Sequence, residues 1–452
     1  MALWLLDVSS LALRVSALSV LLALSMRGVT LGLAMLASGP ILAADDAAVE
    51  AHAQATYVTQ YKPSFPASYS GQNSLRADRE RGYTFTSTVF LGARLGDTEL
   101  YFNPEVIAGL PFSELHGLGG FANGENQRGS DRQLVGYRAR AFVRQTWNLG
   151  GEFDERASQQ NQVKTRYSSE RIVLTAGNLS VLDVFDVMDY SRDARTQFMN
   201  WASLTYGAWD FPADARGYTW GAALEYIAPD WQARAGRFLV PVESNGLRLD
   251  RAWTQRYGDA AEFEMPYKVS GRVGIWRALV FRNRVNAGAY EDAIAASDPP
   301  DVSLVRRTQT KHGFGLSTQV ELTPAVGVYA RAGWSDGKTE TFMFTEIDRS
   351  LAVGTLVKGS PWSRPNDKLG IAAYLNGLSG AHRDYLAAGG FGFFLGDGRL
   401  NYAAERILET FYSFGLTKNF SVSAGYQRIV NPGYNRDRGP VDVVGLRLHA
   451  EI

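Results

Sequence analysis

Apolar and polar side chains alternate along most of the chain with a period of two, the pattern of β-strands whose two faces meet different surroundings. From Tyr83 to Leu95, Phe85, Val89, Leu91 and Leu95 share one face, and Thr84, Thr86, Thr88, Gly92 and Arg94 share the other. Read the same way, Tyr137 to Leu149 sets Tyr137, Ala139, Ala141, Val143 and Trp147 against Arg138, Arg140, Arg144 and Thr146. Tyr218, Trp220, Ala222, Leu224 and Tyr226 oppose Thr219, Gly221, Ala223 and Glu225. Phe314, Leu316, Val320 and Leu322 oppose Gly315, Ser317, Gln319 and Glu321. After a turn at Thr323-Pro324, Val326, Val328, Ala330, Ala332 and Trp334 oppose Tyr329 and Arg331. The chain ends with Val444, Leu446, Leu448, Ala450 and Ile452 on one face and Gly445, Arg447, His449 and Glu451 on the other.

A soluble sheet also alternates, but it needs one large apolar core. Here the second face carries Arg, Glu, Thr and Gln, whose unpaired burial would be costly. After Ala44 no apolar run reaches the roughly 18 residues of a transmembrane helix, so a membrane-spanning form must be a closed sheet. The pattern therefore predicts an all-β protein, a transmembrane antiparallel β-barrel with its apolar face toward lipid and its polar face toward the lumen. About 408 residues follow Ala44; at roughly 11 per tilted strand, eight strands would leave loops of nearly 40 residues and sixteen strands loops of about 14. The expected wall is porin-sized, about 16 strands within a range of about 14 to 18, and its lumen is too wide for wall side chains to fill.

Two stretches lack alternation and are too long for ordinary hairpin loops. One runs from Pro104 to about Leu134, with a short helix expected at Pro111 to Leu118; the other runs from about Asp183 to Arg216. Both are expected to fold over or into the lumen and narrow it.

Composition supports a thin wall: 45% of residues are apolar and 12% aromatic, yet mean hydropathy is only −0.17, below that of a helical membrane protein. The 46 basic and 46 acidic residues cancel, which excludes the basic footprint of a nucleic-acid binder. With no Cys, disulfides and thiolate metal sites are excluded. The first 44 residues carry only Asp7, Arg14 and Arg27 as charges. Met26-Arg27, the apolar run Val29 to Leu36 and the small residues up to Ala43-Ala44 form a complete signal peptide, leaving 45–452 as the barrel domain. Met1 to Ser25 makes that signal long, which points to Met26 as the true start. The competing reading keeps Leu11 to Leu36 as a long signal or an uncleaved anchor.

Arg138, Arg140 and Arg144, read on one strand face, form the expected lumenal basic wall, with Arg94 on an earlier strand. The alternative role for these arginines is structural, in ion pairs to acids such as Glu105 or Asp186. In the second irregular stretch, Arg195, Asn200, Trp201, Trp209 and Asp210 supply either polar and stacking contacts to a solute or anchors that pin the loop. Asp183, Asp186, Asp189 and Asp193 do not have the spacing of a calcium loop. Gly333-Trp334-Ser335-Asp336-Gly337 satisfies G-x-S-x-G, but Lys338 to Thr341 reads as a turn where a nucleophile elbow requires a helix. The five His residues form no metal pair. No cofactor is expected, and the protein is expected not to be an enzyme.

The irregular segments also carry a family resemblance. Asp183-Val184-Phe185-Asp186, Arg195-Thr196-Gln197-Phe198-Met199-Asn200-Trp201, Gly207-Ala208-Trp209-Asp210 and Arg216 to Gly221 resemble segments of the carbohydrate-selective porins, the OprB family of Gram-negative bacteria. Tyr69 to Leu75, Glu99 to Glu105, Asp397 to Tyr402 and Asn431 to Pro440 extend the likeness over about His52 to Ile452. The terminal Ile452 departs from the usual aromatic last residue. The resemblance implies a sixteen-stranded barrel in the outer membrane, reached through the periplasm, that passes sugars by diffusion through an arginine-bearing constriction. Implied partners are outer-membrane lipid, the permeating sugars and the barrel-assembly machinery during biogenesis; the barrel would be a monomer or a trimer. A general or anion-preferring porin is the second reading, and an outer-membrane barrel enzyme the third.

Overall fold

In lipid, backbone N–H and C=O groups find partners only within the protein, and a sheet satisfies all of them by closing on itself. The computed structural model describes residues 47–126, 131–344 and 346–452, so the expected export signal at 1–44 lies outside the described residues. Among the described residues, sixteen strands form one closed antiparallel barrel. They are β1 (Ala47–Lys62), β2 (Glu80–Leu95), β3 (Thr98–Leu110), β4 (Val135–Arg156), β5 (Thr165–Leu179), β6 (Thr219–Ile227), β7 (Gln232–Phe238) and β8 (Tyr257–Val269). The circuit continues through β9 (Arg272–Ala287), β10 (Arg307–Thr323), β11 (Val326–Ser335), β12 (Arg349–Lys358), β13 (Lys368–Gly377), β14 (Glu405–Gly415), β15 (Phe420–Val430) and β16 (Val441–Glu451). Each strand pairs with its sequence neighbours, and β16 closes on β1 through register pairs from Gln54–Glu451 to Tyr61–Val444.

The alternation explains which way each face points. On β10, Phe314 and Leu316 are exposed on the outside while Gly315, Ser317 and Gln319 are buried inside. On β11, Tyr329 and Arg331 are buried and Val328, Ala330 and Ala332 lie on the outer face. Leu224, 53% exposed, and Val280, 59% exposed, show the same outer surface on β6 and β9; such apolar exposure suits contact with lipid.

Connections divide by length. Loops 63–79, 111–134, 180–218, 239–256, 288–306, 336–348, 378–404 and 431–440 lie at one rim, whereas the connections of the other rim are mostly short, such as 96–97, 270–271 and 324–325. In an outer-membrane barrel the long loops face outside and the short turns the periplasm. Outward positions near the short-turn rim carry aromatics, among them Trp147, Tyr226, Trp276 and Tyr412, placing amphipathic rings at the lipid–water boundary.

Three residues depart from the face that simple alternation gives them. Between Asn103 and Pro104 the β3–β4 register slips, so Asn103 faces Arg140 while Pro104 faces Arg138. Ala139 is the extra residue of a β-bulge, placed where Pro104 has no N–H to offer the ladder. The bulge turns Tyr137 into the lumen, where its hydroxyl donates to Glu105, and turns Arg138 outward, with its guanidinium 5.1 Å from the Trp220 ring. The single ladder of Arg138, Arg140 and Arg144 is therefore split. Tyr218 is also inside, 3% exposed, because it precedes β6 rather than belonging to it.

The second irregular stretch, 180–218, is slightly longer than the sequence reading, and the first is shorter, because Pro104 to Leu110 completes β3. The loop that follows has a 3-10 turn at Phe112–Leu115, and the 180–218 loop has turns at Val181–Asp183 and Trp201–Ser203. Both loops enter the lumen. Gln60 and Gln427, on inward faces of β1 and β15, each donate Nε2 to the carbonyl of Ala122, at 2.9 and 2.7 Å. Arg447 donates Nη1 to the carbonyls of Ala194 and Gln197. Inside the barrel the loops build an apolar core of their own: Phe211 stacks on Phe344 at 4.1 Å, Trp201 on Phe344 at 4.9 Å, and Phe121 meets Phe394 edge-on at 4.8 Å.

Gly315 shows how closely this inner core meets the wall, because the Tyr206 ring lies 2.6 Å from where a Cβ would stand. Gly315→Val should displace Tyr206 and its 2.9 Å hydrogen bond to Ser317. We expect a loss of about 1–3 kcal/mol, measured as a lower unfolding temperature in detergent with the barrel's β-sheet circular dichroism unchanged.

Candidate functional site: two vestibules and the loops between them

A loop lying inside a barrel brings its backbone N–H groups out of bulk water, and each needs an acceptor. The wall supplies carboxylates. Glu409 on β14 accepts from the backbone N–H of Met199 at 2.6 Å and of Asn200 at 3.2 Å. Glu405, two inward positions away with Ile407 between, accepts from Gly120 at 2.7 Å and Gly119 at 3.0 Å, so two acids of one wall strand hold the two long loops. Glu262 on β8 accepts from Asp186 N–H at 2.8 Å. Wall arginines hold the carbonyl side: Arg331 donates to Ser203 O at 2.8 Å and pairs with Asp186 at 2.9 Å, and Arg234 donates to Val184 O at 2.7 Å.

The loop residues singled out in the sequence take part in this anchoring. Arg195 bridges Glu105 at 2.9 Å and Glu125 at 3.0 Å. Asn200 donates Nδ2 to Gln427 at 3.0 Å and Gly120 O at 3.3 Å, and its Oδ1 accepts from Ala202 N–H at 2.9 Å, capping the 3-10 turn. Trp201 and Trp209 are buried in the inner aromatic core. Asp210 accepts from the N–H groups of Phe342 at 3.0 Å and Met343 at 2.8 Å and faces Lys311 at 3.3 Å, tying the 180–218 loop to the 336–348 loop.

On the short-turn side of these loops lies a cavity of about 690 Å³. Arg140, Arg144 and Arg195 line it; Arg94, Arg138, Asn200, Trp201, Trp209 and Asp210 do not. Arg94 sits at the end of β2, its Nη1 at 3.4 Å from Gly96 O in the turn. Arg140 makes a two-pronged pair with Asp183, Nε–Oδ2 2.6 Å and Nη2–Oδ1 2.7 Å, and its guanidinium lies 5.2 Å from the Tyr218 ring. Burial opposes the charge on Asp183, the last residue of the Val181–Asp183 turn, but Arg140 outweighs it and holds the carboxyl below its usual range. Arg144 pairs with Glu99 at 3.2 Å and covers Tyr101 and Phe142 at 5.1 and 5.5 Å.

Sequence reasoning missed the opposite wall. Arg234 lies within 3.5 Å of Glu225, 3.2 Å of Glu262 and 3.4 Å of Glu264, and Arg277 within 2.7 Å of Glu264. These residues occupy inward positions of β6 to β9, so extending the alternation to β7, β8 and β9 was the available signal. Eight arginines and seven carboxylates line the cavity, so it carries both signs in near balance. At the long-loop mouth a second cavity of about 1070 Å³ is bounded by Asn73, Arg76, Glu114, His116, Arg132 and Phe393, among others. The two inward loops lie between these vestibules.

Ser335 of the G-x-S-x-G match ends β11 and is followed by irregular chain rather than a helix; its buried Oγ is 3.4 Å from Asp348 Oδ1. Of the four loop aspartates, Asp183 and Asp186 are held by arginines, Asp189 by Gln319 at 2.6 Å and Asp193 by Thr196 at 2.7 Å.

A closed sheet with an apolar outside, a vestibule at each mouth and loops folded between them defines an outer-membrane porin, a passive channel and not an enzyme. The chain belongs to the carbohydrate-selective porin, OprB family, whose model matches residues 72–451. The fold resembles the high-pH structure of Pseudomonas putida OprB, at 16% identity over 89% of this chain and 94% of that chain, with a TM-score of 0.66. It also resembles the outer membrane channel DcaP of Acinetobacter baumannii, at 10% identity over 91% and 99% of the two chains, with a TM-score of 0.51. No curated protein matches the chain in sequence.

Two outcomes follow from the anchoring. Asp210→Ala leaves Lys311 buried without its carboxylate and frees two backbone donors; a loss of about 3–5 kcal/mol is expected, with higher and noisier single-channel conductance in planar bilayers. The second concerns the long-loop mouth, where His382, on the helix α2 (Gly380–Ala387), donates Nδ1 to Asp348 at 2.9 Å and stacks at 4.4 Å on Tyr290 of α1 (Tyr290–Ala296). Burial alone would lower the His382 pKa, but the Asp348 carboxylate, aided by Glu346, raises it from 6.5 to about 9. The group is charged and paired in the fold below its unfolded pKa, so this stability is complete below about pH 6.5 and lost as pH rises through about 9. Melting curves should show this alkaline loss in the parent and a smaller one in His382→Gln.

Proposed function

We propose that the channel passes mono- or small oligosaccharides by diffusion, through a constriction where lumenal arginines exchange hydrogen bonds with the solute. In the same proposal residues 1–44 serve export and 45–452 form the working barrel. The observation that carries this reading is the Arg140–Asp183 pair beside the Tyr218 ring on the wall of the inner vestibule. A sugar offers adjacent hydroxyls along its edge and C–H groups on its face. A guanidinium–carboxylate pair supplies donors and acceptors for the first, and an aromatic ring covers the second. Passage must be fast, so each contact replaces hydration without tight binding.

The near balance of charge favours neutral solutes over anions. Around the charged groups stand amides, Gln54, Gln159, Gln160, Asn161, Gln162 and Gln232, which match hydroxyls in both donor and acceptor capacity. Liposome swelling with a panel of sugars and size-matched polar non-sugars tests the reading. Sugars should enter faster than the matched solutes, and Tyr218→Ala or Arg140→Ala should reduce that preference several-fold while leaving total conductance within about twofold. Equal swelling in all solutes, or preferential entry of organic anions, would leave a general or anion-preferring porin.

A further inference from the structure

The outer surface of the barrel is not uniformly apolar. On β7, β8 and β9 the outward positions Arg237, Asp259 and Arg282 are cross-strand neighbours near the long-loop rim. Arg237 binds Asp259 at 2.8 and 3.0 Å, and Arg282 binds the same carboxylate at 2.7 Å. Both guanidiniums lie over one ring, Tyr257, at 3.8 and 5.3 Å, so their planes are held in place. Arg284, exposed and paired in register with Tyr257, adds a third cation without an acidic partner among the described residues. Two arginines therefore share one carboxylate beside a third that has none, and the side chains remain open outward, Arg237 at 40% and Arg282 at 52% exposure.

Below this cluster, toward the membrane centre, is a furrow of about 610 Å³ on the same outer face. Its walls are Leu224 and Val280 and its base Ala235 and Ala261, a single cross-strand row, with Ala222 beside Arg237 at the charged end. Charged groups above and an apolar trough beneath reproduce the two halves of an anionic lipid. The choice of lipid rests on the rim as a whole: outward arginines recur at the long-loop ends of other strands, at Arg81, Arg138, Arg349, Arg406 and Arg428. A second copy of the chain would engage one sector, whereas a surrounding leaflet of anionic headgroups meets the full circumference.

We propose that the β6–β9 face is a binding site for a phosphorylated, multiply acylated glycolipid of the outer leaflet. Arg237, Arg282 and Arg284 take its phosphate, and the alanine furrow takes an acyl chain. Arginine's fork suits phosphate geometry, and basic clusters at a membrane surface recruit anionic headgroups. The site lies outside the lumen, so it is independent of the solute reading above.

The test titrates the full-length mature barrel in a neutral detergent with lipid A bearing two phosphates, with its dephosphorylated form, with phosphatidylethanolamine and with inorganic phosphate, reading bound lipid by native mass spectrometry. Phosphorylated lipid A should bind, and the other three should not compete. The triple substitution Arg237→Gln, Arg282→Gln, Arg284→Gln should weaken binding by about a hundredfold, and Ala235→Trp, which fills the furrow with the arginines intact, should weaken it as well. Both variants should retain parental conductance, which certifies the folded barrel. Equal binding of the dephosphorylated lipid, unchanged binding in both folded variants, or a trimeric mass that Ala235→Trp converts to monomer would overturn the proposal.

Discussion

The structure depends on one constraint: a barrel of this circumference cannot fill its lumen with wall side chains, and whatever chain enters must have its peptide groups satisfied there. Buried carboxylates meet that demand. Glu405, Glu409 and Glu262 on the wall, with Asp210 within the loops, accept backbone N–H groups from segments far away in sequence. Arginines beside them neutralise the acids and take up loop carbonyls, as Arg331 does for Ser203. Removing one member leaves a charge or a peptide group stranded in a low-dielectric site, so the network holds the loops in a single arrangement.

That arrangement shapes the channel. The aromatic core of Trp201, Phe211 and Phe344 fills the space between the mouths that the wall leaves empty. Arg140, Arg144 and Tyr218 remain at its edge facing a vestibule. The division of labour is physical: residues such as Asn200 and Asp210, deep in the loop core, have their polar atoms drawn into anchoring, while those at the border line the vestibule that a solute enters. Asn200 and Asp210 belong to the first group, and the Arg140–Asp183 pair with Tyr218 to the second.

The strand alternation made the wall legible in the sequence, because lipid outside and a polar lumen inside act on every residue of every strand. β11 and the end of β16, from Val444 to Glu451, follow it residue by residue. What failed was local. A single extra residue, Ala139, reverses the face of Arg138, and the cue, Pro104 on the partner strand, cannot be aligned without the register. The roles of Trp201, Trp209, Asn200 and Asp210 were legible only as a choice between solute contact and anchoring, since their partners, such as Phe344, Gln427 and Met343, lie over 100 residues away in most cases. The family motifs in the 180–218 loop are thus largely the residues that seat the loop, which explains why an irregular segment carries so recognisable a sequence.

The most direct test of the central claim, that the anchored loops form a constriction where sugars make brief contact, is current noise in planar bilayers as neutral sugar is titrated. The account predicts a concentration-dependent, saturating block by sugars that weakens when Tyr218 is replaced by Ala, with little block by a size-matched polyether. Block that never saturates, or that is the same for sugar and polyether, would contradict it.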